Sequence, residues 1–413
     1  MNSIYPFILF LFTIEIVSAQ QFSSERVTAW QNAGLTDTVQ SPVNEVLITD
    51  YGADRLGVVN SDNAYYLALQ SLGGSPGTIV FPEGEYLFTS TLTLPDSVFI
   101  KGRSTETELH FDLGGSGHLI QIVGSISSTQ YALSAVAIKG TLEITLENSS
   151  DIEVGDVIRL GMFDEDMMFS TWAYGTLGQI VEIASINGNT LTLADPLNHN
   201  YPLSRNPYIR KITPIRAAGI ECLSIVRNDE TALQTNNIHM EYAYNCVVRN
   251  ISSDKCNYGH VDIRSSAHIL VEGCYFHHAH AYGGGGQGYG VVVQATGSFC
   301  LTRNNIFEHL RHSMILQSGA NGNVFSYNYS YDPYWEDAFL PANSAGDAVL
   351  HGNYTYLNLF EGNTIQHMVI DASHGKNGPF NSFFRNRAEL YGLFSDAGTT
   401  TDSMNVVGNE ITN

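Results

Sequence analysis

Basic side chains are scarce in this 413-residue sequence: 19 lysines and arginines stand against 41 acidic residues, a formal charge of −22. Contacts to nucleic-acid phosphates and anionic membranes run through Lys and Arg, so neither is an expected partner. The charge is also awkward for a polyanionic ligand, unless a local basic site, a bridging cation or high salt offsets the field. Cysteine is sparse too, and five is an odd number with no sign of a disulfide framework. Long apolar runs are missing: none reaches the roughly 20 residues that a membrane-spanning helix needs. The run from Ile4 to Ile14 leads to Val17-Ser18-Ala19, a small-residue cleavage site. Although a positive n-region is lacking, residues 1–19 read as a signal peptide, and the mature protein is expected to be secreted, periplasmic or at the cell surface.

What is present is β-forming sequence punctuated by turns. Residues 20–123 are expected to form an extended lead-in, a cap and the first coils, with short β runs such as Thr78-Phe81 and Val98-Ile100. One helix interrupts them, from about Asp62 to Leu72, capped by Ser61 or Asp62 and closed by Gly73-Gly74. Residues 124–213 alternate differently, with tight turns at Val154-Gly155-Asp156 and Asn187-Gly188-Asn189, and read as a small inserted all-β domain. The Asp164-Glu165-Asp166 run there could hold Ca2+, but a solvated loop is the better reading, because three adjacent acids cannot all point at one ion. No cofactor is required.

From residue 214 to 413 the sequence repeats. The string N-x-φ-x-x-N, with φ apolar, occurs at Asn245–Asn250, Asn323–Asn328, Asn358–Asn363 and Asn381–Asn386, with looser copies ending at Cys274, Asn304 and Asn409. Spacings of 23 and 24 residues between neighbouring copies mark a parallel β-helix. Coils about 4.8 Å apart stack equivalent residues in columns. An inward asparagine at a turn bonds the backbone and the asparagine above it, satisfying groups that burial would leave unpaired. The residue three places earlier (Val247, Val271, Leu301, Phe325, Phe360, Phe383, Val406) is expected in the core. Cys246 and Cys300, two coils and so roughly 9.6 Å apart, are too distant for a disulfide and read, with Cys274, as small buried hydrophobes. The last coil, ending at Asn413, has no evident cap.

The residues Asp50-Tyr51-Gly52-Ala53-Asp54, the helix opened by Ser61-Asp62, and Gly77-Thr78-Ile79-Val80-Phe81-Pro82-Glu83-Gly84-Glu85-Tyr86 resemble the N-terminal part of the pectate-lyase-like (pectin lyase fold) superfamily. The resemblance implies an all-β, right-handed parallel β-helix with an N-terminal capping helix, here carrying a small all-β insertion, and by association a carbohydrate-active secreted protein. It carries no catalytic site. The N-x-D, Asp-Asp, G-H-G and R-x-K motifs of polygalacturonase-like members and the R-x-P-x-x-R motif of calcium-dependent pectate lyases are absent.

Coil arithmetic gives the place for a site. The turn residues alternate with a column of polar strand ends, Arg264, Gln294, Gln317, His351 and Asp371, and the large insertions all follow one edge. Loops stacked on one edge build a groove wall. Ten of the 14 histidines fall between His260 and His374. For a polysaccharide lyase acting on a uronic-acid-containing glycan by β-elimination, His312 or His280 could be the base, Tyr282 or Tyr289 the donor, and Arg311 or Arg264 the neutralising cation. His351 belongs with these catalytic candidates. A glycoside hydrolase would draw on Asp347 and Asp371. A non-catalytic glycan binder would use the Tyr334 and Trp335 platform. Substrate contacts are expected from Arg264, Gln294, Gln317, Tyr334, Trp335, His374 and Lys376. No metal site is expected: the His277, His278, His280 cluster has no carboxylate or cysteine at ligand spacing nearby. The partner is a polysaccharide and the chain is expected to be a monomer.

Overall fold

The computed structural model describes residues 22–338, 344–395, 401 and 403–412; the signal segment 1–19 lies outside the described residues. Three ladders of short parallel strands run the length of the body. One is an 11-stranded sheet from Glu45–Leu47 to Asn405–Val407. A second climbs through Gly84–Phe88, Thr107–Phe111, Ser224–Arg227, Ser252–Asp254, Tyr275–His277 and Ile306–Glu308. The third climbs through Ile120–Val123, Ile238–Glu241, Gly259–Arg264, Tyr289–Gln294, His312–Leu316 and Ala348–His351. The second and third merge where Thr364–Asp371 and Arg387–Ser395 run through both. Period-two alternation makes these faces. In the third ladder Val261, Ile263, Val291, Val293, Met314 and Leu316 point into the buried core, while their neighbours face out.

Two internal asparagine ladders stitch the coils. Asn305, Asn328, Asn363, Asn386 and Asn409 form one: each Oδ1 accepts the backbone N–H and the Nδ2–H of the asparagine one coil before, at 2.9–3.0 Å. Asn323, Asn358 and Asn381 form the other in the same way. Phe325, Phe360 and Phe383 stack between them, with ring centroids 5.3 and 5.0 Å apart.

The register differs from the sequence expectation in the less regular copies. Val248, not Val247, aligns with Val271 and Phe325, and Thr302, not Leu301, lies in the same column. Asn250 and Asn304 are correspondingly one residue short of the ladder. They occupy the left-handed turn position, with φ of 53° and 55°, where later coils carry glycine at 362 and 408. Val406 is half exposed, and Val247 and Leu301 pack outside the core against the lead-in. All five cysteines are free, and Cys246, Cys256, Cys274 and Cys300 are buried.

The helix Asp62–Ser71 packs Ala64, Tyr65 and Ala68 onto the first coils. Residues 22–44 run along the 11-stranded face, tied by Arg26 to Asn405, Trp30 to Leu357, Gly34 to Phe299 and Thr78 to Pro42. Between Ser125 and Thr213 lies a separate seven-stranded antiparallel sheet. Its core includes Tyr354, Tyr356 and Leu357 of the solenoid. Asn198 bonding Asn321, and the Tyr356 hydroxyl donating to the Gly178 carbonyl, fix it at one end of the third ladder. In this insertion Asp164 is buried and accepts the Gly175 and Leu177 N–H groups, while Asp166 pairs with Arg205.

Candidate functional site

The outward face of the third ladder is the floor of a cleft of about 970 Å³. Val292, Ile315, Val349 and Val369 form an apolar stripe along it, joined by Tyr258 and Tyr289. Beside the stripe runs the polar column. Arg264 pairs in register with Gln294, and His351 with Asp371. Glu241, opposite Arg264 on the preceding coil, extends the column. The half-exposed Trp172 of the insertion walls one side, and Gly285, Gly286 and Trp335 wall the other. The two loops behind this second wall touch: the Tyr282 and Tyr334 rings lie 5.1 Å apart, and the Glu336 N–H donates to the Tyr282 carbonyl.

Hydrogen bonds lock the floor. The Gln294 Nε2–H group donates to Asp262 Oδ1 at 2.7 Å, and Gln317 Nε2–H to Gln294 Oε1 at 2.8 Å. Both amides also reach the Tyr258 hydroxyl. His351 Nδ1 contacts Asp371 Oδ2, which also accepts the Ser373 hydroxyl at 3.0 Å, while the Ser373 N–H bonds Oδ1 at 2.7 Å. A carboxylate only accepts, so Nδ1 of His351 carries the hydrogen and Nε2 the lone pair. Burial raises the Asp371 carboxyl, but His351 and Ser373 outweigh it and hold it well below the usual carboxylate value. His312, 6.0 Å from His351 between ring centroids, directs Nδ1 to the Gly346 carbonyl at 3.0 Å. Burial, then the Arg311 charge, lowers its pKa well below the ordinary one, so it is neutral at pH 7. The Arg311 guanidinium donates to the Gly283 carbonyl at 2.7 Å and lies over the Trp335 and Tyr289 rings. Burial raises the Tyr289 phenol, which therefore keeps its proton. A smaller cleft of about 260 Å³ continues the groove past Arg264 to His118, His239 and Asp262. Among the described residues the Arg264 guanidinium makes no hydrogen bond or ion pair.

Arg264, Gln294, Arg311, His312, Gln317, Trp335, His351, Asp371 and His374 thus line one cleft. The other sequence candidates stand apart from it. His280 is turned to the Arg227 carbonyl. Tyr282 and Tyr334 sandwich His309 behind the wall rather than within the cleft. Lys376 lies over the Tyr354 ring. Asp347 has no exposed surface; it accepts the Ser330 hydroxyl and the Gln366 and His367 N–H groups, and burial raises its carboxyl. Asp347 is an internal staple, not a groove carboxylate.

Sequence reasoning missed Trp172, Tyr258, His239 and Asp262. Asp262 could have been found, since period-two alternation puts it on the same face as Arg264. The histidine cluster also has the carboxylate it was expected to lack: Asp254 stands opposite His277 on the neighbouring coil.

No family model matches the sequence. Over 245 residues the chain is 25% identical to "Depolymerase, capsule K1-specific" of Klebsiella phage K64-1, covering 55% of this chain and 26% of that protein. It therefore spans about a quarter of the curated relative. Among solved structures, the tailspike protein gp49 from Pseudomonas phage LKA1 superposes with a TM-score of 0.64 at 17% identity, covering 87% of this chain and 64% of that one. The gp54 tailspike of Acinetobacter baumannii bacteriophage AP22, solved with a capsular saccharide, gives a TM-score of 0.56 at 15% identity over 89% and 69%. With the three parallel ladders and the N-terminal capping helix, these likenesses establish that the chain has the right-handed parallel β-helix fold of the pectate-lyase-like superfamily, which phage tailspikes share.

Proposed function

We propose that this protein cleaves an extracellular bacterial polysaccharide containing uronic acid, and that it does so by β-elimination. The observation that carries the reading is the make-up of the cleft: a His351–Asp371 pair beside Arg311, His312 and Tyr289, with no second carboxylate near it. Among the described residues Asp371 is the only acid lining the main cleft. Asp262, in the adjoining cleft, lies four coils from the column level of Val369, roughly 19 Å at the coil spacing. Glycosidase carboxyl pairs stand about 5–9.5 Å apart, so these two do not make one.

Elimination needs a cation on the uronate carboxylate, a base for the C5 proton and a donor for the leaving oxygen. Arg311 supplies the charge. His351 takes the C5 proton at Nε2 while Asp371 steadies the imidazolium. The C5 electrons form the C4–C5 double bond as the C4–O bond breaks, and Tyr289 gives its phenolic proton to the departing oxygen. Arg264, three coils away, binds the carboxylate of another residue of the glycan, and Trp172 stacks on a sugar face. The named substrates of the relatives, a K1 capsule and a capsular saccharide, support a bacterial surface glycan as the substrate class.

The test is incubation with a panel of uronate-containing and neutral bacterial polysaccharides. Unsaturated ends absorbing at about 230–235 nm, on uronate polymers alone, are the expected result, since elimination leaves a conjugated double bond. Reducing ends without that absorbance would replace the lyase by a hydrolase. Retention on a glycan column without cleavage would replace it by a binder.

A further inference from the structure

We propose that Asp254, His277 and His278 bind a single divalent late-transition-metal ion, with Zn2+ the best fit, at the foot of the loop that walls the groove. The site lies outside the cleft and does not depend on the lyase reading. The strands Ser252–Asp254 and Tyr275–His277 are adjacent and parallel, with Asp254 and His277 directly opposite. Residues 277 and 278 would face opposite sides of a continuing strand. A left-handed turn closes this level in successive coils, at Lys255, His278, His309 and Asp332, and it folds His278 back beside His277.

Three donor atoms converge as a result. Asp254 Oδ1 is 3.1 Å from His277 Nδ1 and 3.5 Å from His278 Nδ1, and the two nitrogens are 3.0 Å apart. A tetrahedral ion with bonds of about 2.0–2.1 Å spaces its ligand atoms roughly 3.3–3.4 Å apart. The triangle has that size. A hydrogen on either Nδ1 can bridge only one edge of it, whereas an ion uses the lone pairs of all three atoms. Ser252 Oγ lies 3.2 Å from His277 Nε2, the outer partner that orients a metal-bound imidazole. Tyr275 stacks on the His277 ring at 4.3 Å and holds its plane.

The side chains of His277, Asp254 and His278 are 17%, 30% and 47% exposed, so a fourth position is open to water, as in three-ligand zinc sites. Two imidazoles and one carboxylate suit Zn2+, Ni2+ or Cu2+, not Ca2+, which takes six to eight oxygens. Lys255 lines the same small pocket and works against any cation held loosely there. The wall loop starts at the next residue. Ala279 N–H bonds the Tyr282 hydroxyl, Gly283 accepts from Arg311, and Gly285 and Gly286 reach the cleft. An ion under His278 anchors that wall from below.

The experiment is titration of the full chain, free of any affinity tag and stripped with chelator, with ZnCl2 by calorimetry, and metal analysis after dialysis. The expected result is one Zn2+ per chain. Binding weakens at least tenfold in His278→Gln and in Asp254→Asn, and about tenfold in Ser252→Ala through loss of the outer partner. Equimolar Ca2+ leaves it unchanged. His278 is half exposed, and circular dichroism melts compare its variant with the parent, while Ser252→Ala keeps all three ligands. Absence of stoichiometric Zn2+, binding undiminished in both His278→Gln and Asp254→Asn, or displacement by equimolar Ca2+ overturns the proposal.

Discussion

Replacing Asp371 by asparagine separates the chemistry of the cleft from its shape. The exchange is nearly isosteric. Oδ1 still accepts the Ser373 N–H, and the new amide can donate to the Ser373 hydroxyl that formerly donated to Oδ2. What changes is the partner of His351. Oδ2 is an acceptor facing Nδ1; an Nδ2–H group there forces Nδ1 to accept, which moves the ring proton to Nε2 and removes the lone pair that takes the C5 proton. General-base catalysis contributes about 10²–10⁴ in rate, and the same exchange in the serine-protease triad costs about 10⁴ by imposing the wrong tautomer. Asp371→Asn is therefore expected to lower kcat by about 10³–10⁴. Loss of a hydrogen bond to a charged group costs about 1.5–3 kcal/mol of stability, so the chain stays folded. The assay is the initial rate of double-bond formation on a responsive uronate polymer, with binding of the same polymer measured by calorimetry. A kcat within tenfold of the parent, with the variant folded and binding intact, would refute the assignment of His351 as base.

Arg264→Gln leaves the melting temperature unchanged, because the guanidinium has no hydrogen bond to lose. It raises KM about tenfold and flattens the dependence of KM on salt, with kcat within threefold. Trp172→Ala acts similarly through lost stacking, about 1 kcal/mol in substrate affinity, read as KM on long against short oligosaccharides. Asn363→Ala removes two accepted and two donated side-chain hydrogen bonds inside the core. At about 1 kcal/mol each, it destabilises the chain by about 3–5 kcal/mol in urea unfolding without changing the cleft. Acid stability follows from buried imidazoles. Burial, and for His260 also the neighbouring His277, pushes His260 down to about 3 and His367 to about 4 in the folded protein. Above pH 6.5 both states are neutral and nothing is lost. Below it only the unfolded chain takes up these protons, so stability falls by about 2 kcal/mol per group by pH 5. Melts at pH 7 and pH 5 measure it, and His260→Gln reduces the difference.

The solenoid was readable because its period is written in asparagines, and the errors show where that script is ambiguous. Asparagine serves two roles one residue apart. Pointing inward it is a rung, as at Asn305 and Asn328; just before the rung it tolerates the left-handed turn, as at Asn250 and Asn304. Where glycine takes the turn, as at Gly362, the rung is unambiguous and Phe360 falls in the core. Where asparagine takes it, the register slips by one, and Val247 and Leu301 are misplaced. The polar column survived the slip because each member ends a strand just before a variable loop, a mark that does not depend on which asparagine is the rung. Trp172 carried no such mark: its place at the cleft depends on how Asn198 and Gly178 dock on Asn321 and Tyr356, more than 120 residues away. Asp254 is the more instructive omission. A carboxylate for His277 was sought a few positions away along the chain, the spacing that matters on a helix or hairpin. In a coil of 23 residues the nearest neighbour in space is 23 residues away, and 254 is that far from 277. Chemistry in such a chain has to be sought on the surface of a cylinder, one period up and one period down from every reactive side chain; by that rule Asp254 follows from His277, just as Arg264 predicts Gln294 and the column that ends at Asp371.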